Sequence, residues 1–235
     1  MIIAEVGQNF GGDIESALNL IDLAQENGGD LCKFQLYDHN ILYSDHPDIP
    51  DVALSFEQAK TLFDYGQNVG IEVFFSVFDV ERVGWCEEIG VKRYKVATLR
   101  KSVDVIRAVS ATGKPVIVSH GYGHHFWWGI IKEELPNARH LICLPEYPAS
   151  PSKLGLKGIA FVDTTQRTTA FFPVDGFSDH TIGLDVAKIA LARGASIIEK
   201  HFAWDHHTGI DAPWSMDAKE LRELKQFENV VKEAL

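Results

Sequence analysis

Two short stretches of this chain carry residue types able to bind an ion or move a proton. Gly176-Phe177-Ser178-Asp179-His180-Thr181 and Ile198-Glu199-Lys200-His201-Phe202 each set a histidine where a short apolar run ends. A neutral imidazole there can serve as a metal ligand or a general base. A single histidine at a strand end is more often a hydrogen-bonded structural residue, but two on successive runs shift the balance toward function. Cations recur near the ends of other apolar runs, at Lys33 and Lys95, with the short hydroxyls Ser76, Thr98, Ser119 and Ser178 at comparable places. Cations interleaved with hydroxyl donors describe a pocket for phosphate or carboxylate. Lys114, in Gly113-Lys114-Pro115, reads instead as the start of a strand.

The elements that must position these residues follow from hydrophobic period. Between the two histidines, Leu184, Ile189, Ala190 and Ala192 form a helical stripe, Gly194 stops it, and 195–201 reads as a strand. Strand, helix, strand is the unit of a parallel sheet, whose ligands collect at the carboxyl ends of the strands. Eight strands are expected, at about 2–6, 31–35, 72–76, 93–97, 115–119, 140–144, 174–177 and 196–200. Helices are expected at 14–27 after the N-cap Asp13, at 55–68 opening on Ser55 with a glutamate shortly after, at 102–111 ending before Gly113, and at 217–235. Eight such repeats imply an α/β fold, a (β/α)8 TIM barrel forming a single domain over 1–235. Residues 145–173, with Pro145, Pro148, Pro151 and a Thr-rich run, give the sixth helix the weakest pattern.

Inside a barrel, strand residues of one parity face inward, so a charge of that parity is costly unless it is paired or used. Ile3, Glu5 and Gly7 share a face; so do Leu31, Lys33 and Gln35, and so do Ile197, Glu199 and His201. Any one of these polar residues could belong to a rim or an internal salt bridge. As a set, with the polar members toward the carboxyl ends, they point to a functional polar centre.

Bulk composition sets outer limits. The chain has 235 residues, 46% of them hydrophobic, enough for a sizeable core. A formal charge of −11 argues against nucleic acid or an anionic membrane as partner. The N-terminus lacks the basic segment of a secretory signal, no apolar run reaches the ~18 residues of a membrane span, and Cys32, Cys86 and Cys143 lack metal-site spacing. A reducing, cytoplasmic setting is expected.

The motifs also carry a resemblance. Ala4-Glu5-Val6-Gly7-Gln8-Asn9 with Gly12-Asp13, Cys32-Lys33-Phe34-Gln35, Tyr94-Lys95-Val96, Lys114-Pro115-Val116-Ile117-Val118-Ser119, Phe177-Ser178-Asp179-His180-Thr181-Ile182-Gly183-Leu184, Glu199-Lys200-His201-Phe202, Gly209-Ile210-Asp211 and Trp214-Ser215-Met216-Asp217 resemble, in order and along nearly the whole chain, the sialic acid synthase family. The resemblance implies a TIM barrel that condenses phosphoenolpyruvate with an N-acetylated aminosugar such as N-acetylmannosamine, forming a nine-carbon 2-keto-3-deoxy acid and releasing phosphate. It implies a divalent cation, Mn²⁺ or Mg²⁺, held by His180 and His201 and acting as a Lewis acid on the sugar aldehyde. Glu5 and Asp211 match carboxylates near the reacting carbons, and Tyr147 a substrate-side tyrosine of the catalytic set. Lys33, Lys95, Thr98, Ser119 and Ser178 match the positions that hold phosphoenolpyruvate, with Gln35 beside them. Partners would be small molecules, with a possible homodimer resting partly on a C-terminal antifreeze-like domain; that domain is not expected in a chain ending at Leu235.

Departures from the family pattern are concentrated on the side of the sugar acceptor. Pro145 stands where an Asn is usual, Val77 where a hydroxyl often follows Ser76, and Arg100 where a sugar-contacting glutamate is expected, a reversed charge suited to an acidic or differently substituted acceptor. The loop after the second strand is short. Trp127 and Trp128 form either a platform for a sugar ring or a cover for the barrel's flank, and His206-His207 a solvated pair. Two alternatives stand beside the condensing enzyme: a non-catalytic barrel that binds a sugar acid or phosphate, and a metal-dependent lyase or hydrolase on the same fold.

Overall fold

A computed structural model describes residues 1–46, 48–121, 125–162 and 173–234. In chain order the elements are β1 (Ile2–Gly7), α1 (Ile14–Glu26), β2 (Leu31–Leu36), the one-turn α2 (His39–Leu42), α3 (Phe56–Val69), β3 (Glu72–Val77), α4 (Val80–Ile89), β4 (Tyr94–Val96), α5 (Val103–Ala111), β5 (Val116–Gly121), α6 (His125–Glu134), β6 (Arg139–Cys143), β7 (Ala160–Phe161), β8 (Pro173–Val174), β9 (Gly176–Asp179), α7 (Asp185–Ala192), β10 (Ile197–His201) and α8 (Ala218–Ala234). Eight of the strands close on themselves in the order β1-β10-β9-β6-β5-β4-β3-β2, every pair parallel. This is the (β/α)8 barrel that the repeating pattern implies.

Local signals explain the helix boundaries. The Asp13 carboxylate accepts from the backbone N–H groups of Glu15 and Ser16 at the start of α1. Ser55 and Gln58 form a reciprocal capping box at the start of α3, so Gln58 supplies the return bond that the neighbouring glutamate was expected to give. Two expectations need correction. The seventh barrel strand is Gly176–Asp179 rather than 174–177, because Val174 pairs with Phe161 in a separate two-stranded sheet. Between β6 and β7, within the 145–173 span expected to hold the sixth helix, the chain forms two 3-10 turns, Pro151–Lys153 and Leu156–Gly158; residues 163–172, between β7 and β8, lie outside the described residues.

Alternation along the strands divides the core in two. Outward-facing residues such as Ile2, Ala4, Val6, Phe34 and Val118 pack under the helices in one continuous cluster. Inside the barrel, Ile3, Leu31, Phe74, Ile117, Leu141 and Ile197 form a separate apolar plug, none more than 4% exposed. Burying each of these side chains contributes ~1.5–3 kcal/mol. Two residues further along each strand stand Glu5, Lys33, Ser76, Ser119, Cys143 and Glu199. The plug thus closes the barrel from below, and the next inward layer is polar.

No helix among the described residues is long and apolar enough to cross a membrane.

Candidate active site

Above the plug lies a cavity of about 400 Å³ at the carboxyl ends of the strands. Glu5, Lys33, Gln35, Lys95, Thr98, Ser119, Tyr147, Ser178, His180, His201 and Asp211 all line it. The structure therefore brings together in one place every site residue that the sequence singles out.

The floor is a buried network of charge. Lys33 Nζ sits 2.5 Å from Glu5 Oε2, donates to Ser76 Oγ at 2.7 Å and lies 3.7 Å from Glu199 Oε2. Lys95 Nζ donates to Ser119 Oγ at 2.8 Å and lies 3.5 Å from Glu199 Oε1, which also accepts from Ser178 Oγ at 2.8 Å. Gln35 Nε2 donates to Glu5 Oε1 at 2.8 Å, so Glu5 is held from two sides. Burial disfavours charge on Glu199, but Lys33 and Lys95 outweigh it and hold the carboxyl down at about 2. Burial lowers Lys95 below the ordinary lysine range, partly offset by Glu199. Gly7, with φ of 57°, lets the chain turn at the top of β1; a Cβ there would come within 3.2 Å of both Gln35 Nε2 and Glu5 Oε1.

The two histidines stand over one side of this floor, their ring centroids 5.7 Å apart. His180 Nδ1 lies 2.9 Å from the Leu144 carbonyl, which fixes the ring and leaves Nε2, 3.5 Å from Ser178 Oγ, with its lone pair. Burial, reinforced by His201, pushes His180 down to about 3, so the imidazole is neutral. His201 Nδ1 lies 3.2 Å from Asp211 Oδ2; burial opposes charge on His201, but Asp211 outweighs it and raises the ring's pKa. The donor set fits a divalent cation. His180 has Nδ1 bonded to a carbonyl oxygen and His201 has Nδ1 beside a carboxylate oxygen, the kind of outer support a metal-bound imidazole uses, and a ring-centroid separation of 5.7 Å is compatible with sharing one ion at metal–nitrogen distances of ~2.1 Å. Oxygens from water or substrate would complete the shell of Mn²⁺ or Mg²⁺.

The rim comes from loops. Tyr147 stacks at 4.3 Å on the His180 ring and lies 5.8 Å from Trp214, forming an aromatic wall. Tyr43, Leu42, His46 and Ile49 line the cavity from the segment after β2, and Gln8 Nε2 donates to the hydroxyls of Tyr37 and Tyr43 at 3.0 and 2.6 Å. Arg100 stands at the mouth with a left-handed φ of 59° and makes no ion pair among the described residues.

Several expectations resolve differently. Parity puts Glu199 on the inward face but does not show that it joins both buried lysines; Gln8, Tyr43 and Trp214 also line the cavity, from loops whose residues follow no period. Val77 belongs to the outer core beneath the helices, so its lack of a hydroxyl leaves the cavity unchanged. Trp128 packs on the rings of His120 and His140, 4.4 and 4.8 Å away, and neither it nor Trp127 lines the cavity, which favours the flank over the sugar platform. Tyr122, His124 and the His125 side chain of that loop lie outside the described residues. Lys114 pairs with Glu87 at 2.6 Å, away from the site. His206 lies 3.4 Å from Glu220 Oε2 at the surface, beside the bonds that cap α8, so it is paired as well as solvated.

Comparison with known proteins agrees with this geometry. The model of the NeuB family matches residues 20–235. An uncharacterized protein of Methanocaldococcus jannaschii is 31% identical over 234 residues, covering 95% of this chain and 68% of the relative. N,N'-diacetyllegionaminic acid synthase of Campylobacter jejuni is 29% identical over 255 residues, covering 95% of this chain and 74% of the enzyme. The crystal structure of the N-acetylneuraminic acid synthetase of Leptospira borgpetersenii, a citrate complex, superposes with a TM-score of 0.88 at 29% identity, covering 99% of this chain and 83% of that one.

Proposed function

Because this chain belongs to the NeuB family, we propose that it condenses phosphoenolpyruvate with a sugar aldehyde of the N-acetylmannosamine kind to give a 2-keto-3-deoxy acid and phosphate. The observation that carries this reading is the convergence, in one cavity of about 400 Å³, of two buried lysines, short hydroxyls, three carboxylates and a pair of imidazoles. Lys33 and Lys95, with Gln35, Thr98, Ser119 and Ser178, hold the anionic enol ester. In the reaction the enol ester's methylene carbon bonds to the aldehyde carbon, water adds at the neighbouring carbon, and the phosphate leaves with its oxygen. The entering water gives up both of its protons, the equivalent of one ending on the aldehyde oxygen and the other, as the new carbonyl forms, on the departing phosphate, and Glu5 and Asp211 between them hold and move these protons. A divalent cation held by His180 and His201 supplies Lewis acidity toward the aldehyde oxygen when bound. Tyr147 closes the wall over the imidazoles and orients the acceptor. Arg100 supports an acceptor with an acidic substituent, because its guanidinium lines the cavity without a carboxylate partner among the described residues. Three free, buried cysteines are in keeping with a reducing cytoplasm.

The test is a reaction with Mn²⁺, phosphoenolpyruvate and a panel of neutral N-acyl hexosamines, sugar phosphates and sugar acids, measuring free phosphate and 2-keto acid. The expected result is stoichiometric formation of both, dependent on metal and acceptor, and abolished in His201→Ala. Ligand-dependent stabilisation without turnover would favour the binding module. Turnover that ignores phosphoenolpyruvate would favour the lyase or hydrolase.

A further inference from the structure

Three of the groups assigned above to the substrate anion already touch an anion that belongs to the protein. Ser178 Oγ donates to Glu199 at 2.8 Å, Lys95 Nζ lies 3.5 Å from Glu199, and Lys33 Nζ lies 3.7 Å from it. Glu5, the other carboxylate of the floor, pairs with Lys33 and accepts from Gln35, so the two acids are not equivalent.

We propose that Glu199 is a built-in competitor for the anion pocket: its carboxylate takes the place among Lys33, Lys95 and Ser178 that an entering phosphate or carboxylate must occupy, and so sets how tightly that anion is held. The inference rests on the reading of those three residues as anion binders and goes beyond it. Two ammonium groups in a layer this dry would repel each other and pay heavily in lost hydration, so the empty pocket needs an internal counter-ion. With Lys33 and Lys95 set against Glu5 and Glu199, the charges of the floor cancel. An anion that enters breaks the Glu199 contacts as it makes its own, and its net gain is the difference. Such an exchange suits a pocket that must also let phosphate go.

The experiment is calorimetric titration of the full chain and its Glu199→Gln and Glu199→Asp variants with inorganic phosphate and with phosphoenolpyruvate in metal-free buffer. Removing one unit charge from beside two buried cations should tighten Kd for both anions in Glu199→Gln by roughly tenfold or more, with Glu199→Asp between it and the parent. A folding defect could only weaken binding, so a gain of affinity identifies the competitor. A folded Glu199→Gln that binds both anions no more tightly than the parent overturns the proposal. Should that variant fail to fold, a structure of the parent protein with inorganic phosphate decides: the anion between Lys33 and Lys95 with Glu199 withdrawn supports competition, and an intact Glu199–Lys95 pair beside bound phosphate refutes it. A gain for inorganic phosphate without measurable binding of phosphoenolpyruvate would leave this inference standing and remove the substrate assigned above. Absence of binding by either anion in every variant overturns both.

Discussion

Asp211 reaches His201 from a loop, and what holds that loop is one amide. Asn9 Oδ1 accepts from the Asp211 backbone N–H at 2.8 Å, while its Nδ2 donates to the Phe202 carbonyl at 3.0 Å and to Ser215 Oγ at 2.9 Å. Ser215 Oγ in turn donates to the Asp211 carbonyl at 2.7 Å. Asn9 thereby ties the end of β1, the end of β10 and the Asp211 loop together. Asn9→Ala removes three hydrogen bonds, two of them buried, at a net ~1 kcal/mol each, so denaturant unfolding should show a loss of about 2–3 kcal/mol. Because the carboxylate is set by this clamp, kcat/KM in the condensation assay should also fall by at least about tenfold, the scale of a misplaced reacting group. A loss of stability with kcat/KM intact would make Asn9 merely structural. The same contrast shows how far single residues were legible. Glu5, Lys33 and His201 could be read from parity, because an apolar barrel interior makes inward charge conspicuous. Asp211 and Tyr147 sit in loops without period, and only motif resemblance identified them. The link from Glu199 to both lysines needed β10, β2 and β4, which are not neighbours in the sheet, to face one another across the closed barrel.

Among the elements, α8 shows how an amphipathic helix is locked onto the barrel. Its apolar face, Leu221 and Leu224, is buried, and Glu228 on the same helix is only 2% exposed. Glu228 lies 2.8 Å from both Lys225 and Lys232 and pairs with the Met1 ammonium at the foot of β1. Burial alone would raise this carboxyl, but its hydrogen bonds to the three cations hold it down at about 2. A group whose folded pKa lies below its unfolded value stabilises fully above the unfolded pKa, here 4.5, and loses that contribution as pH falls through the folded value. Glu228→Gln should therefore cost about 2–3 kcal/mol near neutrality. The difference from the parent should shrink as pH drops from 4.5 toward about 2; a penalty independent of pH across that window would rule out the ionic account. Strands and long helices were legible because their periods are enforced by burial on one side. The shift of β9 was not, because Gly176 and Val174 differ in a way only packing reveals: a Cβ at Gly176 would lie 1.9 Å from the Ile197 carbonyl oxygen, so this residue marks the tight β9–β10 contact, while Val174 is drawn off to Phe161.

For the whole molecule, the question is how a chain of net charge −11 would capture the anion proposed as its substrate. The floor of the cavity offers little long-range attraction, since Lys33 and Lys95 are matched by Glu5 and Glu199 at close range. Beyond a few ångströms an approaching phosphoenolpyruvate meets the field of the molecule's excess carboxylates, with Arg100 at the mouth as a local exception. The Debye length falls from ~30 Å at 0.01 M salt to ~8 Å at 0.15 M, so added salt screens the distant repulsion before it weakens contacts within the buried site. Association should then quicken with ionic strength, opposite to an enzyme that steers its anionic substrate with a basic surface. At saturating Mn²⁺ and acceptor, kcat/KM for phosphoenolpyruvate should rise about two- to fivefold between ~0.01 and ~0.15 M salt, while KM for a neutral acceptor stays flat. A steady fall over the same range would mean that Arg100 and the lysines dominate the approach, and that the cancellation of charge on the cavity floor does not hold once the anion is outside it.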